Sequence, residues 1–515
     1  MQPFLYKVFF RKAGKPRSWT RLVLFRKDRT ARPLFYRVIH KKNGAVRPHW
    51  AYWTANGSTC SAISQVSANG AQSSDQPDTQ LLTATEHALS QLCTFDQTVA
   101  SWRRDAPEPE LLSVEAIFDR LAASAAAGIL LSVGHDNYRK NPGGVQLCIQ
   151  REEQEAIARG LTYLQFHPWQ PLPCLAPESK GDDLPVTMLL NGTPIGTATM
   201  SALTTAVARC VAAGREVRLV VHHLLGHSPE ALATLARTAQ VREVPFWLHD
   251  FFALCPGYTL QRNGLAFCGA PDASSNACGL CVFGPARPRH QTRITAFFQS
   301  LPVIAVAPSQ VTADFWSTKS DLPVQGLAVI PHVVLEERSR TFPERIEADA
   351  PITVGYLGAA VVHKGWSVFT EMMNRHSGPK MRFVVLSTER PGLGEDAWHR
   401  VHVTSETPDA MSVAIERSKV DVVLHWATWP ETFSFTTFEA LSAGAWVLTN
   451  PVSGNVQAVV RATGRGAVLD GQAALDRLFA DGDLADLVAG RRALAARTEI
   501  TARYGSLSFD LPGWS

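Results

Sequence analysis

The sequence predicts an α/β protein with two successive Rossmann-like domains, each built on a parallel β-sheet. From about residue 128 to about residue 500, short apolar runs rich in β-branched residues alternate with helix-like segments. This alternation is typical of parallel strands joined by helices. Two such series follow one another, and prolines interrupt the pattern between them, at about 311–350. Two open sheets in this order are expected to face each other across a cleft, with ligands at the carboxyl ends of the strands.

Each strand of the two sheets is predicted from one apolar run. The runs are ILLSVG, LTYLQF, VRLVVHH, VPFWLHD and VIAVAPS in the first domain, and ITVGYLG, MRFVVLS, VDVVLHWA and AWVLTN in the second. Runs this short, bounded by helical spacers and nearly continuous in apolar character, are typical of strands covered on both faces.

Composition limits the class of protein. A chain of 515 residues with 45% hydrophobic and 19% charged residues has the composition of a folded globular protein, which excludes wholesale disorder. No window reaches the roughly 18 unbroken apolar residues of a membrane-spanning helix, and the N-terminus lacks an apolar signal core. We therefore expect a cytoplasmic protein.

The first 50 residues predict a separate basic module. They hold 14 of the 50 Lys and Arg residues and one acidic residue, Asp28, so they carry +13 while the remainder carries −9. Three copies of a 15-residue repeat fit residues 6–50, each indicating a strand, a basic turn and a return strand. A small solvated β-unit, a segment that holds the protein at the anionic inner membrane face, and a nucleic-acid binder all stay open, with nucleic acid less favoured than membrane.

The predicted organisation has five parts. They are the repeat module at 1–53, a flexible Ser/Ala/Gly-rich linker at 54–80, a helical connector at 81–127, a first α/β domain at 128–335 and a second at 336–515.

Four cysteines cluster in a Gly- and Pro-rich loop of the first domain. Cys255, Cys268, Cys278 and Cys281 end in a C-x-x-C pair, and four thiols are the ligand set of a structural tetrahedral Zn²⁺. Unligated or redox-active cysteines and an iron–sulfur cluster are the alternatives. A zinc ion with four thiolates has no open position and would not enter the chemistry. The sequence also lacks a paired aspartate motif for a catalytic Mg²⁺, so we expect any catalysis to proceed without a metal or another cofactor.

The segment WPETFSFTTFEALSAGAWVLTN, residues 429–450, carries the strongest motif. Glu431 precedes a short loop, Thr436 or Thr437 is expected to cap a helix, and Glu439 falls in its first turns. Backbone amides from Phe433 to Thr437 would then form an anion site at a helix N-terminus. Carboxylates on either side of that site suit the hexose and the ribose of a nucleotide sugar.

This Glu-x7-Glu pattern resembles the retaining glycosyltransferases of family 4, which have the two-domain GT-B fold. The resemblance implies that Glu431 meets the transferred sugar and that Glu439 meets the ribose. It also implies that the amides around Ser434, Phe435 and Thr436 hold the pyrophosphate. The family usually has glycine where this chain has Ser434.

A strand, a glycine turn and a helix at 352–369 support the resemblance. Family members place an arginine and a lysine here to neutralise the diphosphate, and Lys364 matches the lysine, whereas Ala359, Ala360 or Val361 stands where the arginine is expected. The segment also resembles a nicotinamide fingerprint, but the next strand ends in Ser387 and Thr388 and not in an acidic residue. In the first domain, Gly143 and Gly144 match a family glycine pair that faces the donor.

Histidines and acids at predicted strand ends complete the candidate site. By the same resemblance, His249 and Asp250 are candidates for catalytic contacts alongside Glu431 and Lys364. His135, Asp136 and His223 are candidates for acceptor contacts.

The expected reaction moves a sugar from a nucleoside diphosphate sugar to a hydroxyl of a glycan or lipid-linked acceptor, with retention, in assembly of cell-surface polysaccharide or lipopolysaccharide. The main alternative is a non-catalytic GT-B scaffold whose basic repeats bind anionic membrane or nucleic acid. A GT-B epimerase or phosphorylase is a further alternative.

Overall fold

A computed structural model describes residues 94–514, with gaps at 125, 341–349, 393, 395–396 and 405–406. The repeat module, the linker and the first part of the helical connector lie outside the described residues. Residues 95–515 form one compact unit. Within the part of the chain that the structure describes, no helix has both the length and the apolar character needed to cross a membrane.

Helices and strands alternate through most of this unit. The helices are α1 Phe95–Trp102, α2 Val114–Ala122, α3 Gly144–Ala158, α4 Met200–Ala212, α5 Pro229–Thr238, α6 Asn276–Gly279, α7 Arg287–Ser300, α8 Gln310–Lys319, α9 Trp366–His376, α10 Ala410–Arg417, α11 Phe435–Ser442, α12 Asn455–Thr463, α13 Gln472–Ala480 and α14 Asp483–Ala495. The strands are β1 Gly128–Val133, β2 Leu161–Pro168, β3 Pro185–Leu190, β4 Thr193–Thr199, β5 Glu216–Val221, β6 Val244–Trp247, β7 Gln261–Arg262, β8 Ala266–Phe267, β9 Val303–Ala307, β10 Gly326–Val329, β11 Val333–Ser339, β12 Ile352–Leu357, β13 Met381–Ser387, β14 Trp398–Arg400, β15 Val422–Leu424, β16 Trp446–Thr449, β17 Gly466–Val468 and β18 Thr498–Tyr504.

The first domain contains an eight-stranded sheet with the order β10-β9-β6-β5-β1-β2-β3-β4. All pairings from β10 to β2 are parallel. The five predicted runs of this domain are confirmed as parallel strands. Strands β3, β4 and β10 were not predicted; β10 and β4 are the edges of the sheet, and β3 and β4 form an antiparallel hairpin beside β2. Its turn is Asn191-Gly192, with both residues at positive φ, a combination that marks tight hairpins in a sequence.

The second domain contains a six-stranded parallel sheet with the order β14-β13-β12-β15-β16-β17. The four predicted runs of this domain are its four central strands. Strand order reverses at β1 in the first sheet and at β12 in the second. Such reversals open a crevice at the carboxyl ends of the strands, and two sheets arranged in this way form the GT-B fold that the sequence predicts.

The two domains are connected more than once. Strands β11 and β18 form a separate antiparallel ribbon. After β18 the chain returns to the first domain, where Phe509, Leu511 and Trp514 are buried in one cluster with Leu130 and Tyr163. The Trp247 indole N–H donates to Ser508 Oγ at 2.9 Å within this contact. The C-terminal segment therefore ties the second domain to the core of the first.

Candidate active site in the cleft

A cleft of about 760 Å³ lies where the carboxyl ends of the two sheets meet. The predicted residues that line it are Gly143, Gly144, His249, Asp250, Lys364, Glu431, Phe433, Ser434, Phe435, Thr436 and Glu439. The structure thus brings residues from four separate segments of the chain into one concave site. His135, Asp136 and His223 are not in its lining and lie behind Asp250, as described below.

A larger cavity, about 1290 Å³, lies at the amino ends of the second sheet. Its charged wall centres on Asp421, whose carboxylate accepts from Arg491 at 3.2 Å and from Arg492 at 2.9 Å. None of the candidate catalytic, donor-binding or acceptor-binding residues lines it. We identify the smaller cleft as the candidate site because the predicted site residues converge there, even though the other cavity has the larger volume.

Glu431 is held in the second domain by its own loop and by polar neighbours. Its backbone O accepts from Asn455 N at 2.8 Å. Its carboxylate accepts from the Trp429 indole at 3.0 Å, and His425 Nε2 lies 3.8 Å from the same oxygen. Burial alone would raise the pKa of this carboxyl, but Lys364 and His425 outweigh burial and lower the pKa to about 2. Glu431 is therefore ionised throughout the physiological pH range.

Glu439 lies one helical turn into α11 and has the opposite electrostatics. It is 7% exposed, close to the 6% of Glu431. Burial raises the pKa of Glu439 to about 7, because the nearby Arg151 offsets only part of the desolvation. Its carboxylate accepts no hydrogen bond from the described residues. A ligand that offers hydroxyl donors here would supply the missing partners.

Helix α11 begins differently from the prediction. The N-cap is Ser434, at φ +73°, and not Thr436 or Thr437. Thr437 N donates to Ser434 O at 3.0 Å, so the first-turn amides left for an anion are those of Phe435 and Thr436. Phe433 contributes its ring, stacked 4.4 Å from that of Phe438, and lies before the helix. The left-handed backbone at Ser434 explains why glycine suits this position.

Lys364 enters the cleft from a short 3₁₀ turn, Val362–Lys364, between β12 and α9. The next residue, Gly365, has φ +85°, and a Cβ there would lie 2.6 Å from that of Trp426, so the turn requires glycine. Ala359, Ala360 and Val361 also line the cleft, which agrees with the expected absence of an arginine from this turn. Arg390, which follows β13, lines the same cleft and was not singled out from the sequence.

Gly144 begins α3 on the first-domain side, and Gly143 is its N-cap. A Cβ on Gly144 would lie 3.2 Å from the ring of Phe435 on the opposite domain. The φ of Gly143 is 165°, which is extended backbone open to any residue. A tight turn requiring positive φ therefore does not account for Gly143. Close approach of the two domains accounts for Gly144, whereas a Cβ on Gly143 would collide with the side chain of Gln146 in the same domain.

The two histidine-containing strand ends meet as expected. His223 Nε2 lies 2.8 Å from Asp250 Oδ2, and Asp250 Oδ1 accepts from Phe252 N at 2.9 Å. The His135 ring lies 4.8 Å from that of His223, and burial, followed by the charge of His223, lowers the pKa of His135 to about 4. Asp136 accepts from Gln146 Nε2 at 2.8 Å. These side chains form one polar patch beneath the first-domain wall of the cleft.

His249 occupies the centre of the cleft wall. Its Nε2 lies 3.0 Å from His222 Nδ1, and its backbone O accepts from Thr432 Oγ1, on the second domain, at 2.6 Å. Burial, followed by the charges of His222 and His332, lowers the pKa of His249 well below its usual value. His249 is therefore a neutral ring.

The four clustered cysteines lie in the ordered loop between β6 and α7. They are free thiols in the structure. Burial raises the pKa of Cys255 to about 12, and the charges of Cys281 and Cys268 contribute. The Arg287 guanidinium lies 3.0 Å from Cys278 Sγ. No three of these four sulfurs lie within 4.8 Å of one another, so the structure does not bring the predicted zinc ligands together as one set; among the described residues, the set of three possible metal ligands that does lie this close is Cys148, His249 and His332.

Sequence reasoning missed several residues of the site. Arg151 of α3 stacks over Tyr504 at 3.4 Å and acts electrostatically on Glu439. His332 is buried against Phe435, with the two rings 5.5 Å apart. Neither residue belongs to a motif. A linker brings His332 into the lining of the cleft, and a helix interior brings Arg151 close enough to act on Glu439. Only the three-dimensional fold reveals these two residues.

No family model matches the chain. Two curated proteins match at 24% identity over 210 residues, the intercellular adhesion molecule 4 proteins of Pan troglodytes and Homo sapiens. The match covers 38% of this chain and 76% and 75% of theirs. This identity is too low to assign the chain to their family.

Solved glycosyltransferase structures resemble the described fold weakly. HepE of Anabaena, in complex with UDP and glucose, is 13% identical with a TM-score of 0.41, over 72% of this chain and 94% of HepE. WaaG, a glycosyltransferase involved in lipopolysaccharide biosynthesis, is 12% identical with a TM-score of 0.38, over 71% of this chain and 95% of WaaG. Matches at this level assign no activity to the chain.

Proposed function

We propose that the protein is a glycosyltransferase that moves a sugar from a nucleoside diphosphate sugar to a hydroxyl acceptor, with retention of the anomeric configuration. The single observation that carries this proposal is the arrangement around the start of α11. Two buried carboxylates, Glu431 and Glu439, lie on either side of free helix amides, and Lys364 acts on the first of them.

This arrangement fits the parts of a sugar nucleotide. The amides of Phe435 and Thr436 and the Lys364 ammonium stabilise the diphosphate, which gains negative charge as it leaves. Glu431 accepts hydrogen bonds from hydroxyls of the transferred sugar. Glu439 accepts from the ribose hydroxyls, which supply the donors that its carboxylate lacks.

The acceptor enters from the first-domain wall, where His249 and Asp250 line the cleft. Its hydroxyl attacks the anomeric carbon on the face from which the diphosphate departs, and its proton passes to a departing phosphate oxygen. A front-face step of this kind retains configuration without a protein nucleophile. The neutral imidazole of His249 and the carboxylate of Asp250 orient the sugar and the acceptor, and catalysis needs no metal or other cofactor.

The test is a panel of nucleoside diphosphate sugars screened by thermal shift and then by isothermal titration calorimetry. A donor at 100 times its Kd stabilises the folded state by about 2.7 kcal/mol. Proton NMR of the product made from the best donor then reads the anomeric configuration. A panel without any binder, or a product of inverted configuration, contradicts the proposal. Binding without turnover favours the non-catalytic scaffold.

We further propose that Cys255, Cys268, Cys278 and Cys281 hold one structural Zn²⁺. Four thiols in one loop, with Cys255 and Cys278 buried, support this ligand set, and binding of the ion requires the four sulfurs to move closer together than they lie in the structure. Metal analysis of protein purified without added metal should give one zinc per chain, and the Cys278→Ser/Cys281→Ser pair should lose it. Metal-free wild-type protein, or an iron chromophore, contradicts the zinc site.

The charge of residues 1–53 supports a role at an anionic membrane surface, where a lipid-linked or polysaccharide acceptor is available. Full-length protein should sediment with vesicles of phosphatidylglycerol at low salt and dissociate at 1 M salt, where the Debye length is about 3 Å. Protein that ignores these vesicles and binds RNA instead contradicts the membrane role.

A further inference from the structure

Three residues with metal-binding side chains meet in the first-domain wall of the cleft. Cys148 lies in the second turn of α3, His249 follows β6, and His332 lies between β10 and β11. One donor atom from each, the Cys148 sulfur and a ring nitrogen of each histidine, lies within 4.8 Å of the other two. The parallel strands β6 and β10 end at the same edge of the first sheet, and the fold thus assembles the three residues there.

Packing holds the two histidine rings near each other. The centroids of the His249 and His332 rings lie 5.4 Å apart. The Trp247 indole packs against both rings, at 5.4 Å from His249 and 4.9 Å from His332. Cys148 and His332 are 1% and 3% exposed, so the surrounding core confines them. The three donor atoms are therefore close together before any ion binds.

The donor atoms are available to an ion. Cys148 is a free thiol. Nδ1 of His332 is buried and has no hydrogen-bond partner in the part of the chain that the structure describes. A buried polar nitrogen without a partner is unfavourable, and a bound ion would supply the missing interaction. His249 and His332 also line the cleft, which gives an ion a path to the site.

One thiol and two imidazoles are a ligand set for Zn²⁺. The ion binds sulfur at about 2.3 Å and imidazole nitrogen at about 2.0–2.1 Å. Tetrahedral donors at these bond lengths lie about 3.3–3.6 Å apart, so side-chain movements of about 1 Å suffice to form the site. Three protein ligands leave a fourth position, which solvent or a ligand occupies in zinc sites of this kind.

We propose that Cys148, His249 and His332 bind one Zn²⁺ in the wall of the cleft, and that the bound ion inhibits the enzyme. The thiol proton passes to solvent when the sulfur binds the ion. Inhibition rests on the proposed function, because the ion removes the His249 ring from the substrates that it orients. With one protein ligand fewer than the four-cysteine site, this site is expected to fill when Zn²⁺ is added and not during purification.

Cys210 offers a matched control for Cys148. Both are free thiols, both are 1% exposed, and both lie in helices of the first domain, Cys210 in α4. Cys210 does not belong to the set of three ligands. Cys148→Ser and Cys210→Ser make the same change to a buried thiol, and only the first removes a proposed ligand.

The first experiment measures metal binding without a substrate. Full-length Cys278→Ser/Cys281→Ser protein, which lacks the proposed loop site, is titrated with Co²⁺ as a probe for Zn²⁺. One Co²⁺ per chain should bind and give the ultraviolet charge-transfer band of a cobalt–thiolate bond. Adding Cys148→Ser should abolish the band, and adding Cys210→Ser should leave it unchanged. Absence of the band, or its equal loss in both variants, overturns the inference.

The wild type replaces this background if the double variant does not fold. Cys148→Ser should then bind one Co²⁺ fewer than the wild type, and Cys210→Ser should bind the same number. His332→Gln, which removes a ligand from a different element, should also bind one fewer and serves if Cys148→Ser does not fold. Equal numbers in the wild type and the ligand variant overturn the inference.

The second experiment measures turnover of the best donor with and without added Zn²⁺. Zinc should inhibit the wild type and Cys210→Ser. Cys148 is not in the lining of the cleft, so Cys148→Ser should keep wild-type turnover and resist inhibition. Zinc that binds at the three ligands without slowing turnover overturns the inhibition. If the wild type turns over no donor, the proposed function fails, and the cobalt titration still decides the metal site.

Discussion

The loop around Glu431 and the helix turn around Glu439 show two buried carboxylates with opposite behaviour. The two side chains are 6% and 7% exposed, so desolvation opposes ionisation of both. Glu431 nevertheless has a pKa of about 2 and Glu439 a pKa of about 7. The difference comes from their neighbours. Lys364, His425 and an indole N–H surround Glu431, whereas Arg151 offsets only part of the desolvation of Glu439 and the charge of Asp409 opposes its ionisation.

The comparison indicates that Glu431 and Glu439 have different roles in the same cleft. A carboxylate that is ionised at every relevant pH presents a fixed charge to a reacting sugar. A carboxylate whose pKa lies near neutrality has lost its water without gaining protein partners, and it gains most from a ligand that supplies hydroxyl donors.

Removing the fixed charge should have the largest effect. Glu431→Gln should lower kcat by about 10- to 100-fold, since a hydrogen bond to a charged group is worth about 1.5–3 kcal/mol. We expect the donor Kd to change less than kcat, because the contact strengthens as charge develops on the sugar. Steady-state kinetics and calorimetry with the same donor measure the two quantities.

The exposed Glu416 of α10 serves as the control, and Glu416→Gln should match the wild type. A wild-type kcat in Glu431→Gln would contradict the conclusion that the charge of Glu431 acts on the reacting sugar.

Lys364→Met should separate phosphate binding from nucleoside binding. Losing the ammonium should weaken donor binding by about tenfold or more, the size of a charge-assisted contact, and leave binding of the uncharged nucleoside unchanged. The pKa of Glu431 should also rise, because Lys364 is the largest influence that lowers it. Calorimetry with both ligands measures the split.

Lys380→Met, on an exposed lysine just before β13, is the matched control and should bind the donor normally. Equal loss of donor and nucleoside binding in Lys364→Met would show that the lysine supports the fold of the site and not the diphosphate.

Because the pKa of Glu439 is raised, we expect the affinity for the donor to change several-fold between pH 6 and pH 8. As pH rises from 6 to 8 the carboxyl passes through its pKa of about 7, becomes the better acceptor, and the donor should bind more tightly. A nucleoside diphosphate sugar does not titrate in this range, so the change reports on the protein. Glu439→Gln should bind more weakly and flatten the profile, and an unchanged profile would contradict the ribose contact.

The same carboxyl predicts a change in stability with pH. Its folded pKa of about 7 lies above the ordinary value of 4.5. Between these values the unfolded chain is ionised and the folded chain is not, so stability falls as pH rises from 4.5 to 7. Glu431 acts oppositely, since its contribution is present above 4.5 and is lost as pH falls towards 2. Denaturant midpoints of the Glu439→Gln variant should show a shallower fall over pH 4.5–7.

The smallest expected effect concerns the residue between the two carboxylates. Ser434 has φ +73°, a conformation that costs an L-residue about 1–2 kcal/mol and that glycine adopts freely. Ser434→Gly loses the 2.9 Å contact of Ser434 Oγ with Thr437 Oγ1, so we expect a net gain of about 0.5 kcal/mol in unfolding free energy. Chemical denaturation measures this gain. Ser442→Gly, at a right-handed helical position of α11, should instead lose about 0.5–1 kcal/mol.

The local sequence pattern was sufficient to predict the nine central strands and the Glu431–Glu439 motif. The β-branched runs predicted the nine central strands, because a strand covered on both faces must be apolar along its whole length. The hairpin of β3 and β4 was not predicted although Asn191-Gly192 marks its turn, because its partly exposed strands lack the continuous apolar run of the covered parallel strands. The cap of α11 was assigned to threonines, because a left-handed serine has no distinctive sequence signal.

The sequence by itself determined the α/β class, the two sheets, the Glu431–Glu439 pair and the absence of the expected arginine, since each is encoded within a short stretch. Only the tertiary structure decided which carboxylate is ionised, that Arg390 and Arg151 reach the site, and that Cys148, His249 and His332 lie together. Residue 148 lies on a helix and residues 249 and 332 follow two strands, and they meet only where the carboxyl ends of those strands converge. A pKa or a metal site depends on such distances across the fold, and no local window of the sequence contains them.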